Sequence, residues 1–235
     1  MAIIVSLVPA IALYLWLKNR KKDDVSFREL CGTTLKRGIL SVFPVLLCSA
    51  VFHIIIRLTG VKDANPLLYE ALHAFLVLAL AEELVKYLTF RRTLKNTDYR
   101  VSWVDVTALM TIVGTGFDLI ESIVYAIGAS VPVVLVRGIC IPHAGYGFLV
   151  GYFYGKGVKS ENPAARWTGF VLAWLIHGMY DFSLSEAFTA INENLVIIPL
   201  ALAVMDIVLV ILLIRFVLKA KNQEKYTDPL PAEGN

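Results

Sequence analysis

Charged and histidine side chains recur at helical spacing inside the apolar stretches of this chain. Glu82, Glu83 and Lys86 stand in the run 67–90, Asp118 and Glu121 in 103–127, and Arg137 and His143 in 132–154; His177 and Asp181 stand in 167–185 and Asp206 in 195–218. A charge held in hydrocarbon costs several kcal/mol, so such residues mark function by default. Carboxylates and imidazoles removed from water are the groups of general acid–base chemistry, and equally of proton relays. Their spacing sorts them. Glu82 and Lys86 are i,i+4, and Glu83 and Lys86 are i,i+3, so Lys86 can neutralise either carboxylate. Lys86 could equally snorkel to the interface. Adjacent Glu82 and Glu83 point about 100° apart, so only one aims squarely at a common centre. His177 and Asp181 are i,i+4, which lets the carboxylate orient the imidazole and fix its tautomer. Phe117, Glu121 and Tyr125 share a face; Glu121 and Arg137, each near the outer end of its run, can also form a plain ion pair.

The elements that position these residues follow from composition. Of 235 residues, 57% are hydrophobic and 17% charged, and mean hydropathy is +0.68. A soluble globule carries about 25% charged residues, so this chain lacks the polar surface to be one. Apolar runs fall at 2–17, 39–57, 67–90, 103–127, 132–154, 167–185 and 195–218, lengths that suit membrane helices. Without period-2 alternation they do not suit barrel strands. The expectation is an all-α polytopic transmembrane bundle of about seven helices, one domain over 1–219 followed by a polar, disordered cytoplasmic tail over 220–235. Seventeen basic residues fall on one face of this arrangement, seven of them in 18–37, against Arg57 and Lys62 on the other. That asymmetry places the N-terminus outside and the C-terminus in the cytoplasm of a cell membrane. Lys18, Arg20, Lys21 and Lys22 follow the first run instead of preceding it, so it reads as a membrane helix and not as a signal peptide.

At about 1.5 Å per residue, Glu82 lies roughly 12 Å, His143 roughly 16 Å and His177 roughly 15 Å from the cytoplasmic ends of their runs, so they can meet in one layer. Pro142 is expected to kink its helix beside His143. Gly147, Gly151 and Gly155 follow His143 at four-residue steps, a packing stripe. His53, His73 and the scattered Cys31, Cys48 and Cys140 read as structural, Asp105 as interfacial; Asp206 has no account at this level.

Four stretches now carry a resemblance. Glu82-Glu83-Leu84-Val85-Lys86 resembles the EExxK motif of PrsW-type membrane proteases, and Phe117 to Tyr125 around Glu121 looks like their FxxxExxxY. Arg137 with Pro142-His143-Ala144-Gly145 resembles the third motif, and His177-Gly178-Met179-Tyr180-Asp181 the fourth, HGxYD. The motifs lie in order within 80–182. The related CAAX-protease and bacteriocin-processing group carries EExxxR and a final Asn instead.

The resemblance implies an intramembrane peptidase acting on a membrane-anchored protein, such as an anti-sigma factor cut at the first step of a regulatory cascade. Its partners are then that substrate and the lipid bilayer, with no nucleic acid. Peptide hydrolysis needs a base for water, an oxyanion stabiliser and an acid for the leaving amine. Glu82 is the first candidate for base and Glu83 the second. His143 and His177 position water or stabilise the oxyanion; Asp181 orients His177, and Lys86, Glu121 and Arg137 support. A metal version is open: His143, His177 and Glu121 would form a two-histidine, one-carboxylate zinc site, although H-E-x-x-H is absent. Two rival classes stay open, a proton-coupled transporter and a non-catalytic scaffold.

Overall fold

The computed structural model describes residues 2–128 and 130–230. In chain order it comprises α1 (Ala2–Lys18), a 3-10 turn (Asn19–Lys21), α2 (Val25–Leu40), α3 (Val42–Leu58), α4 (Val61–Ala64), α5 (Pro66–Leu72), a π-helical segment (His73–Leu80) and α6 (Ala81–Lys95). There follow α7 (Trp103–Gly128), α8 (Val131–Cys140), α9 (Pro142–Lys159), α10 (Pro163–Ser183), α11 (Glu186–Thr189), a second 3-10 turn (Glu193–Val196), α12 (Ile197–Ala220) and α13 (Glu224–Thr227). Local chemistry explains several starts. The side chains of Asp24, Asn65 and Asn162 accept backbone N–H bonds from the first turns of α2, α5 and α10. Pro66 and Pro163 occupy first helical positions, where no N–H is needed.

The architecture is an all-α bundle, as the composition requires, but the count of seven crossings is not reached. Among the described residues, five helical stretches are long and apolar enough to cross a membrane: Ile3–Lys21, Val25–Leu58, Trp103–Gly128, Val131–Lys159 and Asn194–Ala220. The stretches 67–90 and 167–185 are helical as well, and they carry Glu82, Glu83, Lys86, His177 and Asp181. The second span starts at Val25 and not at 39. Phe27, Leu30, Cys31, Thr34 and Gly38 recur every three or four residues and are buried, so the segment first counted as a basic loop is an amphipathic helix lying on α7. The tail is also corrected in part. Tyr226 packs its ring 5.0 Å from that of Trp103, and the Leu230 N–H donates to the Val101 carbonyl at 2.8 Å. The last five positions, 231–235, lie outside the described residues.

Helix α7 is the axis. It is buried almost without interruption from Trp103 to Asp118, with α1, α2 and α9 packed around it. Thr107, Thr111 and Thr115 each return a hydroxyl hydrogen bond to the carbonyl four residues earlier, 2.9 Å in each case, which satisfies polar groups that lipid and packing would leave dry. The glycine stripe of α9 lies along this axis. A Cβ on Gly147 would sit 2.7 Å from the Met110 carbonyl oxygen, and one on Gly151 would sit 2.8 Å from the Thr107 Cα. Real side chains do not fit such gaps, so the small residues set the interaxial distance.

At one end the basic loops converge. Asp105 accepts from Arg20, from Lys21 at 2.9 Å, and from the Ser102 N–H and hydroxyl at 2.9 and 2.7 Å. Tyr99 donates to Asp24, capping the same end.

Gly147→Val should force α9 off α7 and destabilise the protein by about 1–3 kcal/mol, read as an earlier thermal unfolding transition in detergent. A wild-type transition would show that the stripe does not set the packing.

Candidate active site

The site forms where α6, α7, α9 and α10 meet. Its most constrained member is His143. The chain breaks just before it: Ile141 adopts a left-handed conformation, with φ 39° and ψ 60°, and Pro142 opens α9. The expected kink is therefore a break: the Ala144 and Gly145 N–H groups return to the Ile141 carbonyl, but the His143 N–H has no partner in its own helix. Asp118 of α7 reaches this turn. Its two carboxylate oxygens accept from the His143 and Ala144 N–H groups at 3.3 and 2.9 Å. A negative group at a helix N-terminus also opposes the helix dipole. Asp118 thus holds the backbone of His143 in place, and Gly114 lets the two helices approach that closely. No role for Asp118 was legible in the sequence, because the bond it makes is to backbone on another helix.

Both nitrogens of the His143 ring are engaged. Nδ1 lies 2.6 Å from the Lys86 ammonium, and Nε2 contacts Glu121, whose other oxygen pairs with Arg137. An ammonium only donates, so Nδ1 accepts, and Nε2 carries the proton that it donates to Glu121. Lys86 also donates to Glu83 at 2.6 Å and is 1% exposed, so it does not snorkel. The ion pair of Glu121 with Arg137 is present, and it is part of the site, not separate from it.

His177 is held from two sides. Its Nδ1 lies 3.0 Å from Glu83 and its Nε2 3.2 Å from Asp181. The two imidazole centroids are 5.1 Å apart, and Tyr146 stacks on His177 at 5.2 Å. Both glutamates reach the site despite the angle between them, because the His177 ring stands between the two long side chains: Glu83 is on Nδ1 and the Glu82 Oε2 is 3.9 Å from Nε2. The same Glu82 oxygen is 3.7 Å from His143 Nε2 and is buried without a hydrogen-bond partner. His53 and His73 pack against each other at 5.7 Å, and no hydrogen bond or ion pair joins them to this cluster among the described residues.

Four carboxylates, Glu82, Glu83, Glu121 and Asp181, face the imidazoles, against the two fixed cations Lys86 and Arg137. That excess, with the orphaned Glu82 oxygen, suits a divalent cation. Glu82, His143 and His177 offer ligand atoms that all lie within 4.8 Å of one another. Ligands about 2.0–2.2 Å from one tetrahedral ion stand about 3.3–3.6 Å apart, so only small movements are needed. The set expected from the sequence, His143, His177 and Glu121, is not the one that converges. Glu121 is tied to Arg137 and groups instead with Asp118 and His143.

Apolar helices around an enclosed carboxylate–imidazole centre define a multi-pass membrane protein with its chemistry inside the bundle. Residues 13–214 match the family described as PrsW family intramembrane metalloprotease, and the chain belongs to that family. Relatives named Protease PrsW include one from Geobacillus kaustophilus, 28% identical over 152 residues that cover 63% of each chain. Another, from Oceanobacillus iheyensis, is 26% identical and covers 79% of this chain and 84% of its own. That of Bacillus subtilis is 27% identical, with 76% and 80% covered. No solved structure matches the chain.

Lys86→Met removes the cation from a buried carboxylate and should cost about 3–5 kcal/mol of stability, whereas exposed Lys95→Met should stay within about 0.5 kcal/mol. Equal melting of the two variants in detergent would show that Lys86 is not the counter-charge of Glu83.

Proposed function

We propose that this chain hydrolyses a peptide bond of a membrane-anchored protein, a regulatory, anti-sigma-factor-like substrate, at the centre made by Glu82, His143 and His177. One observation carries the reading: the Glu82 Oε2, which accepts no hydrogen bond, lies 3.7 and 3.9 Å from the Nε2 atoms of the two imidazoles. Relatives named Protease PrsW support the reaction class.

Glu82 is the base. Its contacts are long, and its side chain keeps 13% exposure where Glu83 keeps 1%, so it is the less tightly held of the two. Glu83 is 1% exposed, and Lys86 and His177 both hold its Oε1, so it serves as the anchor of His177. A water between Glu82 and the imidazoles gives its proton to Glu82 as its oxygen attacks the scissile carbonyl. The His143 Nε2–H, fixed by Lys86 on the far nitrogen, turns from Glu121 to the developing oxyanion as the carbonyl is attacked, and Glu82 returns the proton to the leaving amine. Asp181 and Glu83 fix the His177 ring plane. Glu82, His143 and His177 are also the residues that would hold zinc, which when bound supplies Lewis acidity to water and carbonyl. These residues would hold it through proton-free ligand atoms, so affinity would rise with pH.

The N-terminus is placed outside and the C-terminus in the cytoplasm. The convergence of Arg20, Lys21, Lys159 and the 221–230 segment at one end of the bundle supports this. Reporter fusions at Asn96 and Asn162 should read cytoplasmic and those at Ala64 and Asn192 external; the reverse pattern overturns the orientation.

With purified protein and a panel of single-pass membrane substrates, Glu82→Gln should reduce cleavage by about 10²–10⁴-fold while expression persists. His177→Ala should fall comparably and Asp181→Ala less. A chelator should abolish cleavage if zinc is held and leave it intact if the Glu/His set acts alone. Unchanged cleavage by Glu82→Gln removes Glu82 as the base. Absence of cleavage by the wild type, with pH-driven solute flux or without it, favours a transporter or a scaffold.

A further inference from the structure

The helix that delivers the two glutamates is not α-helical as it approaches them. From His73 to Leu80 it is a π-helix, and the α form resumes at Ala81, one residue before Glu82. A turn closed by i→i+5 bonds holds one residue more than an α-turn, so each such turn rotates everything after it by about 100° relative to an unbroken α-helix. That is also the angle between adjacent Glu82 and Glu83. The π register therefore sets the rotation at which Glu83 meets His177 Nδ1 while Glu82 reaches the Nε2 side of both imidazoles.

Such a segment persists where its surroundings hold it. Two side chains from flanking helices do so here. The Trp174 indole Nε1–H of α10 donates to the Phe75 carbonyl at 2.7 Å, and the Ser49 hydroxyl of α3 donates to the Val77 carbonyl at 2.7 Å. The Phe75 ring stands edge-on to Trp174 with centroids 6.5 Å apart. It also fills the space over Gly178, where a Cβ would meet ring atoms at 2.8 Å. Trp174, His177 and Gly178 lie three and four residues apart, on one face of α10. The face that docks on the π segment is thus the face that carries His177 to Glu83.

We propose that Trp174 is a positioning residue: its bond to the Phe75 carbonyl locks α10 to the π segment and fixes the register that sets Glu82 between the two imidazoles. The proposal rests on Glu82 being the base. Its effect runs through geometry, so it falls on the chemical step and spares substrate affinity.

The test compares wild type, Glu82→Gln, Trp174→Phe and Ser49→Ala in detergent by steady-state cleavage and by backbone hydrogen exchange. Trp167→Phe, a half-exposed tryptophan on the same helix, is the control. Trp174→Phe keeps the ring and loses the donor. It should lower kcat by about 10–100-fold with KM within about twofold and speed exchange over 74–81 while 104–118 stays protected. Ser49→Ala should change both readouts in the same direction and guards against a Trp174→Phe that fails to fold; Trp167→Phe should match the wild type. Wild-type kcat in Trp174→Phe, a loss carried by KM alone, or unchanged exchange over 74–81 overturns the proposal. A wild type as inert as Glu82→Gln sinks the protease reading and the catalytic half of the proposal with it. The exchange data then still decide whether Trp174 holds the segment.

Discussion

Lys86 donates at 2.6 Å both to Glu83 and to the ring of His143, from a position with 1% exposure. A lone ammonium there would cost several kcal/mol, and so would either carboxylate alone. The groups are affordable only together, and they arrive on different helices: Glu82, Glu83 and Lys86 on α6, Asp118 and Glu121 on α7, His143 on α9, and His177 and Asp181 on α10. Mutual neutralisation therefore acts as a tertiary constraint. A helix that shifts or turns strands a charge, which explains how a bundle with little hydrophobic driving force between its helices can be specific about their rotation.

The same requirement explains the irregular backbone. Breaking α8 from α9 at Ile141 costs backbone strain and several helical hydrogen bonds, and Asp118 recovers two of those bonds at the new N-terminus. The π segment before Glu82 is similarly held from outside, by Trp174 and Ser49. In both places the local cost lies within a few residues of a site group, His143 in one case and Glu82 in the other. Strain of this kind persists where surrounding packing over-determines it. At Ile141 that packing is α9 fitted against α7 along Gly147 and Gly151, and at the π segment it is α3 and α10.

Spacing in the sequence was enough to show that Lys86 can reach Glu83 and that Asp181 can reach His177, because both are contacts within one helix turn. It also marked the glycine stripe. Hydropathy did less well. It began the second span fourteen residues late, because the basic residues between 18 and 37 masked the buried stripe of Phe27, Leu30 and Thr34. It also counted about seven spans, where five stretches among the described residues are long and apolar enough to cross. The carboxylate that joins the two histidines was beyond reach, since the choice of Glu82 over Glu121 depends on which one Arg137 engages from another helix. The same holds for the Asp118 cap and the Trp174 bond, whose partners are backbone groups that carry no sequence signature.

The central claim is that Glu82, between His143 and His177, turns water into the nucleophile for a peptide bond inside this bundle. Incubating the purified protein with a single-pass membrane substrate in heavy-oxygen water tests it most directly, with mass spectrometry of the products. The account predicts that the wild type yields a fragment whose new C-terminal carboxylate carries one heavy oxygen, and that Glu82→Gln yields almost none. Equal heavy-oxygen product from Glu82→Gln, or no hydrolysed product from the wild type, would contradict it.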